Sequence, residues 1–181
     1  MKKLINSAAL LIGLGLIALA FLNSSDPPDN PSPVAQSDLW EVKPGSVYDG
    51  DTLRVLKSGQ ELKIRFACVD AMEIKQEGGI ESRDYLRSLL ENSGNRVKLN
   101  ITNTDRYGRS VAEVSILLGG KWEIVQELQA RNGWVWAYGR YQSDCPSWSA
   151  ISVAEQQAKS EKIGIWANEE AISPWKWRQQ N

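Results

Sequence analysis

Histidine is missing from this 181-residue sequence, and its two cysteines, Cys68 and Cys145, stand far apart rather than in a paired motif. That removes imidazole and clustered thiolates as metal donors. Any bound metal is then expected to be a hard cation held by oxygen, such as Ca²⁺. Excess positive charge is also missing, with 21 basic residues against 22 acidic and a formal net charge of −1. Discounting Lys2 and Lys3 leaves 19 against 22, or −3. A broad, sequence-independent grip on a polyanion normally shows as a basic surface. Here any such binding must be focused on a few residues. Internal repeats are absent too, and the length suits one domain with appendages.

Both ends differ from the middle. Met1-Lys2-Lys3 precedes an uncharged stretch, Leu4 to Ser25, that is apolar from Ala8 to Leu22. A basic start followed by an apolar run reads as a signal segment over residues 1–22, with Ala18-Leu19-Ala20 as a cleavage site. The alternative is an uncleaved anchor through residues 4–22, since about 20 apolar residues span a bilayer. No cysteine follows the run, which argues against a lipoprotein anchor. Either way the folded part is expected to be secreted or periplasmic, or held on the outer side of the membrane. Residues 23–38 are rich in Pro, Ser, Asn and Asp and read as a disordered linker. Residues 169–181 read as a loosely attached tail, although its tryptophans offer a way to dock.

Between these ends the pattern is one of short strands with strong turns. Leu39 to Tyr48 and Thr52 to Lys57 read as strands about the Asp49-Gly50 turn, and Ser58-Gly59 as a second turn. Gln60 to Val69 alternates Leu62, Ile64, Phe66 and Cys68 against Glu61, Lys63 and Arg65, which turns Arg65 away from the core. Residues 80–92 read as a helix ended by Ser93-Gly94-Asn95. Strands are expected over 96–102 and 110–117, with a hairpin at Gly119-Gly120. Ile124 to Arg131 reads as a helix, Trp134 to Tyr138 as an extended piece and Trp148 to Lys162 as the last helix. Small barrel plus helices is the expected class, α+β and mainly β.

The charges fall at the strand ends and turns of this scaffold. They run Asp49-Gly50-Asp51-Thr52, then Arg65 with Asp70-Ala71-Met72-Glu73, then Asp105-Arg106-Tyr107-Gly108-Arg109. Singly each has a plain explanation: turn aspartates bond their own backbone, and surface arginines are usually solvated. Carboxylates that can hold a hard cation, beside two arginines whose forks match phosphate oxygens, together describe a phosphodiester site.

In this order and spacing the motifs resemble the thermonuclease (micrococcal nuclease) family over about residues 42–167. The resemblance implies a five-stranded OB-type barrel with three helices in a domain of residues 39–168. It also implies calcium-dependent cleavage of DNA and RNA, breaking the 5′ P–O bond to leave 3′-phosphates. By the same resemblance Asp51, Asp70, the Ala71 backbone carbonyl and Glu73 make up the Ca²⁺ site, with Glu73 also holding the attacking water beside the ion. Arg65 and Arg109 grip the scissile phosphate, Asp105, Arg106 and Tyr107 frame Arg109, and Arg106 and Tyr107 lie on the substrate side, Tyr107 near a phosphate. Tyr138 and Tyr141 lie where the family sets aromatics against a base.

Ala71 stands where the family often has threonine, which a backbone ligand tolerates. Met72 replaces a common proline, so the metal loop loses a φ restraint. The segment Glu73 to Gly79 is several residues short of the best-known members. Cys68 and Cys145 are expected to bridge in an exported domain, contributing about 3–5 kcal/mol; the alternative is two buried free thiols. A monomer with no obligate protein partner is expected. Two rivals are an inactive thermonuclease-like domain that binds nucleic acid or protein, and a plain OB-type binding module. The first usually loses the acidic and arginine set, which is complete here; the second calls for a basic, aromatic-lined face.

Overall fold

In the computed structural model, residues 38–181 are described. The signal or anchor reading of residues 1–22, and all but the last residue of the linker reading, lie outside them.

Five strands close into a barrel. They are β1 (Trp40–Val42), β2 (Thr52–Lys57), β3 (Gln60–Phe66), β5 (Arg96–Thr104) and β6 (Ser110–Leu118). The antiparallel ladder runs β3-β2-β1-β5-β6, and a parallel pairing of β3 with β6 shuts it. Closure leaves no free edge among these five. The alternation read from the sequence sets the register: Leu53 faces Ile64 and Val55 faces Leu62 across β2 and β3. Leu53, Val55, Ile64, Val97, Ala112, Val114 and Ile116 are wholly buried inside.

Helices cap the barrel. α1 (Gly79–Asn92) lays Leu86, Leu89 and Leu90 onto it, at the i, i+3, i+4 spacing of one helical face. β7 (Lys121–Ile124) pairs with β6 and leads straight into α2 (Val125–Arg131). That helix is tied to the barrel by buried glutamines. Gln126 accepts the Val114 N–H at 3.1 Å and donates to the Ala112 carbonyl at 3.0 Å. α3 (Trp148–Ser160) buries Ile151, Ala154 and Ala158.

Three elements depart from the sequence reading. The first strand pairs only over Trp40–Val42, because the chain turns at Pro44-Gly45, where Gly45 takes φ 71°. The strand carrying Arg65 stops at Phe66 because Cys68 adopts φ 71°. The chain restarts as β4 (Val69–Ala71), paired with β8 (Val135–Ala137) in a separate two-stranded sheet. The tail is not loose. It forms a fourth helix, α4 (Pro174–Gln180), with proline at its first turn, where the missing N–H does no harm. Cys68 and Cys145 form a disulfide with Cα atoms 5.6 Å apart, joining the start of β4 to the segment before α3. Among the described residues no helix is long and apolar enough to cross a membrane.

Candidate active site

The Asp49–Thr52 turn is wedged under two helices. A side chain at Gly50 would place Cβ 2.0 Å from Ser82 Oγ on α1, and the Gly50 carbonyl accepts from Gln129 Nε2 of α2 at 2.6 Å. Only glycine fits so close an approach. Asp49 has the ordinary turn role, accepting the Asp51 N–H at 3.0 Å. This leaves Asp51 to point inward, where it is 5 % exposed. Its Oδ2 accepts the Ala71 N–H at 2.6 Å and faces Arg65 Nη1 at 3.1 Å, while Oδ1 accepts from Thr52 Oγ1. Burial pushes its carboxyl up to about 6; the Arg65 charge opposes this, and Asp49 adds to it.

Asp70 comes to the same place from β4. It is 3 % exposed, and its Oδ1 accepts from Arg65 Nη2 at 2.8 Å. Burial holds its pKa above the ordinary value, opposed by hydrogen bonding from Arg178 and the charge of Arg65, with the Asp51 charge adding to the rise. Arg65 therefore bridges the two aspartates. It also donates to the Phe66 and Val69 carbonyls at 2.8 and 3.0 Å, so its guanidinium is held on several sides. It lies opposite the buried Ile64 and Phe66, as the alternation implied.

Arg109 is positioned by a self-contained turn. Asp105 Oδ1 accepts the N–H groups of Tyr107 and Arg109 at 2.9 and 3.0 Å, and its Oδ2 accepts from Arg109 Nε at 2.7 Å. Burial works against ionising Asp105, but these donors outweigh it and hold its pKa below the usual value. Arg109 directly precedes Ser110, the parallel partner of Ile64, which brings it beside the strand of Arg65. Tyr107 is 73 % exposed, with the Arg106 and Arg109 guanidiniums 5.4 and 5.6 Å from its ring centre.

Glu73 begins the short loop into α1. Gln76 closes that loop, donating its N–H to the Glu73 carbonyl at 2.8 Å and accepting the Glu73 N–H through Oε1 at 3.3 Å. A Cβ on Gly79 would sit 1.9 Å from the Glu73 carbonyl oxygen. Gln76 and Gly79 thus hold the loop after Glu73 close to its own carbonyl. Tyr138 follows β8 and lies 5.3 Å from Trp175 and 6.3 Å from Tyr141, centre to centre. Trp136 and Trp166 pack edge-on at 4.4 Å, with Lys159 over the latter, in keeping with a packing role.

Arg178 was not read from the sequence. Its Nη2 meets Asp70 Oδ2 at 2.6 Å, and its Nη1 meets Glu73 Oε1 at 2.6 Å and Asp70 Oδ1 at 3.3 Å. A lone arginine in a tail carries no local signal of a partner about a hundred residues earlier; only the neighbouring tryptophans hinted at docking. Asp70 and Glu73 therefore meet through a guanidinium. The donors are of the oxygen type a hard cation takes, two deeply buried carboxylates and a third at the rim. Asp51, Asp70 and Glu73 do not, however, bring three oxygens within 4.8 Å of one another while Arg178 stands against Asp70 and Glu73. Among the described residues, the one tight trio of cysteine and carboxylate donors is Cys68, Glu113 and Cys145. Both of its sulfurs are spent in the disulfide, so it is no metal site.

Residues 63–168 match the family model described as staphylococcal nuclease homologue, a span holding Arg65, Asp70, Glu73 and Arg109. The chain is 33% identical over 132 residues to an uncharacterized endonuclease of Escherichia coli O157:H7, covering 73% of this chain and 80% of that protein. It is 31% identical over 137 residues to the micrococcal nuclease of Shigella flexneri, covering 73% and 76%. An uncharacterized endonuclease of Haemophilus influenzae is 34% identical over 135 residues, covering 74% and 70%. With the closed barrel and its charged rim, these similarities establish that the chain belongs to the staphylococcal nuclease homologue family.

Proposed function

We propose that this protein is a calcium-dependent nuclease that hydrolyses phosphodiester bonds in DNA and RNA. The observation that carries the reading is Arg65 bridging two buried aspartates, with Arg109 delivered beside its strand by the parallel β3–β6 pairing. Asp51, Asp70, the Ala71 carbonyl and Glu73 would hold the calcium ion, which when bound supplies positive charge to a phosphate oxygen and to water. Glu73 holds and orients the attacking water from the rim. Arg65 and Arg109 take the phosphoryl oxygens, where charge gathers as the water oxygen bonds to phosphorus and the bond to the 5′ oxygen breaks. That oxygen leaves as a 5′-hydroxyl after taking a proton from solvent, and the phosphate stays on the 3′ side. Donors fixed before the reaction favour the transition state over the substrate. Arg65 is fixed by its two aspartates and Arg109 by Asp105. Arg106 and the displayed ring of Tyr107 flank the path of the strand, and Tyr138 and Tyr141 offer stacking surface. The disulfide supports an exported domain.

Residues 39–181, purified, should degrade DNA and RNA with calcium and stop on addition of chelator. Equal degradation with and without chelator would remove the metal from the scheme. No degradation with any divalent ion would favour a binding role.

A further inference from the structure

The C-terminal helix reaches into the site that the family resemblance leaves for a cation. Its root is anchored: Ser173 and Pro174 are buried, and Gln76 Nε2 donates to the Ile172 carbonyl at 2.7 Å. Trp175 packs edge-on against Trp136 at 5.7 Å and tilted against Tyr138 at 5.3 Å. One turn later Arg178 spans Asp70 and Glu73 with its side chain still 44 % exposed. The helix thus covers one of the stacking aromatics and a pair of carboxylates together.

The oxygens of Asp70 are fully used in this arrangement. Oδ2 is bonded to Arg178, and Oδ1 is shared between Arg65 and Arg178. Oε1 of Glu73 is bonded to Arg178 as well. A divalent cation and a bidentate guanidinium cannot both be bonded to the same carboxylate oxygens at contact distance. The Arg65 contact is buried among backbone carbonyls, whereas the Arg178 contact is at the surface and is the one that can open.

We propose that helix α4 is a built-in plug: Arg178 competes with the divalent cation for Asp70 and Glu73, so that cation binding and release of the end of the helix are coupled. This rests on the cation reading above. Coupling is reciprocal, so the cation weakens docking of the helix end by the factor through which docking weakens the cation. A binding-competent form that is a minor fraction lowers apparent affinity by that fraction.

The test is calcium titration by calorimetry on the wild-type protein and on Arg178→Gln, with arginine side-chain NMR as a second readout. Arg178→Gln should bind calcium about tenfold more tightly, as expected if the open form is about a tenth of the population. In the wild type, the Arg178 Nε–Hε signal, identified by its loss in the variant, should move to the position of a solvated arginine as calcium is added. Arg178→Lys keeps the charge without the fork and should fall between the two. Equal or weaker binding by Arg178→Gln overturns the plug while leaving the calcium reading intact. If neither protein binds calcium, both readings fall.

Discussion

The two arginines proposed to hold the phosphate are supported in opposite ways. Arg65 is 16 % exposed and sits among two aspartates and two backbone carbonyls contributed by the 49–52 turn and the 66–70 segment. Arg109 is 23 % exposed and depends on one residue, Asp105, four positions earlier in the same turn. Similar exposure thus conceals different dependence. The first half of the site exists only if the barrel closes; the second is written into five consecutive residues. Damage to the fold should reach the Arg65 side first.

The largest stability effect should come from the disulfide, which holds the start of the Asp70 strand. Reducing it, or replacing Cys68 and Cys145 with serine, should cost about 4 kcal/mol through the loop it closes. Hydrogen exchange should quicken around β4 and stay unchanged at the 105–109 turn. An unshifted denaturation midpoint would mean that the bridge does not constrain the chain.

Next comes Arg65→Ala, expected to lower stability by about 3 kcal/mol because it strips a shared partner from two buried carboxylates. Its rate should fall about a hundredfold or more in parallel. Full stability in urea denaturation would show that the aspartates find other partners, and the contrast between the two halves would fail.

Asp51→Asn should act in the opposite direction. A carboxyl whose folded pKa lies above its unfolded value loses stability as the pH climbs from its ordinary 3.8 through about 6. Without added metal, the variant should therefore be more stable by on the order of 2 kcal/mol near pH 7.5. That gain should vanish near pH 3, below the ordinary 3.8, where folded and unfolded wild type both carry the proton. Calcium affinity should fall. Denaturation curves at the two pH values, with chelator, check the sign; a loss of stability near neutral pH would mean that the Arg65 pairing outweighs burial.

The smallest stability effect belongs to Arg109→Ala, expected to stay under about 1 kcal/mol, as for a surface pair. Its rate should still drop about a hundredfold, since a fixed donor to the developing charge is worth about 3 kcal/mol. Kinetics beside thermal melts separates the two. Near-normal turnover would reduce the 105–109 turn to a structural element.

Local chemistry was enough to reveal the barrel strands with period-two alternation, the helix ended by Ser93-Gly94-Asn95, and the turn in which Asp105 serves Arg109. These rest on neighbours within a few positions, where side-chain periodicity and turn bonding act. The same holds for the placement of Arg65 opposite Ile64 and Phe66. Tertiary structure decided what depends on distant approach. The family resemblance alone singled out Asp51; its burial is set by Gly50 pressed against Ser82 and by its carboxylate bonded to the Ala71 N–H. The break at Cys68, which makes a separate strand for Asp70, follows from a backbone angle that no local residue pattern announced. Arg178 reaches Asp70 across 108 positions. Burial and ion pairing over such separations depend on how the closed barrel and its docked helices meet, and that is a property of the packed chain rather than of any stretch of it.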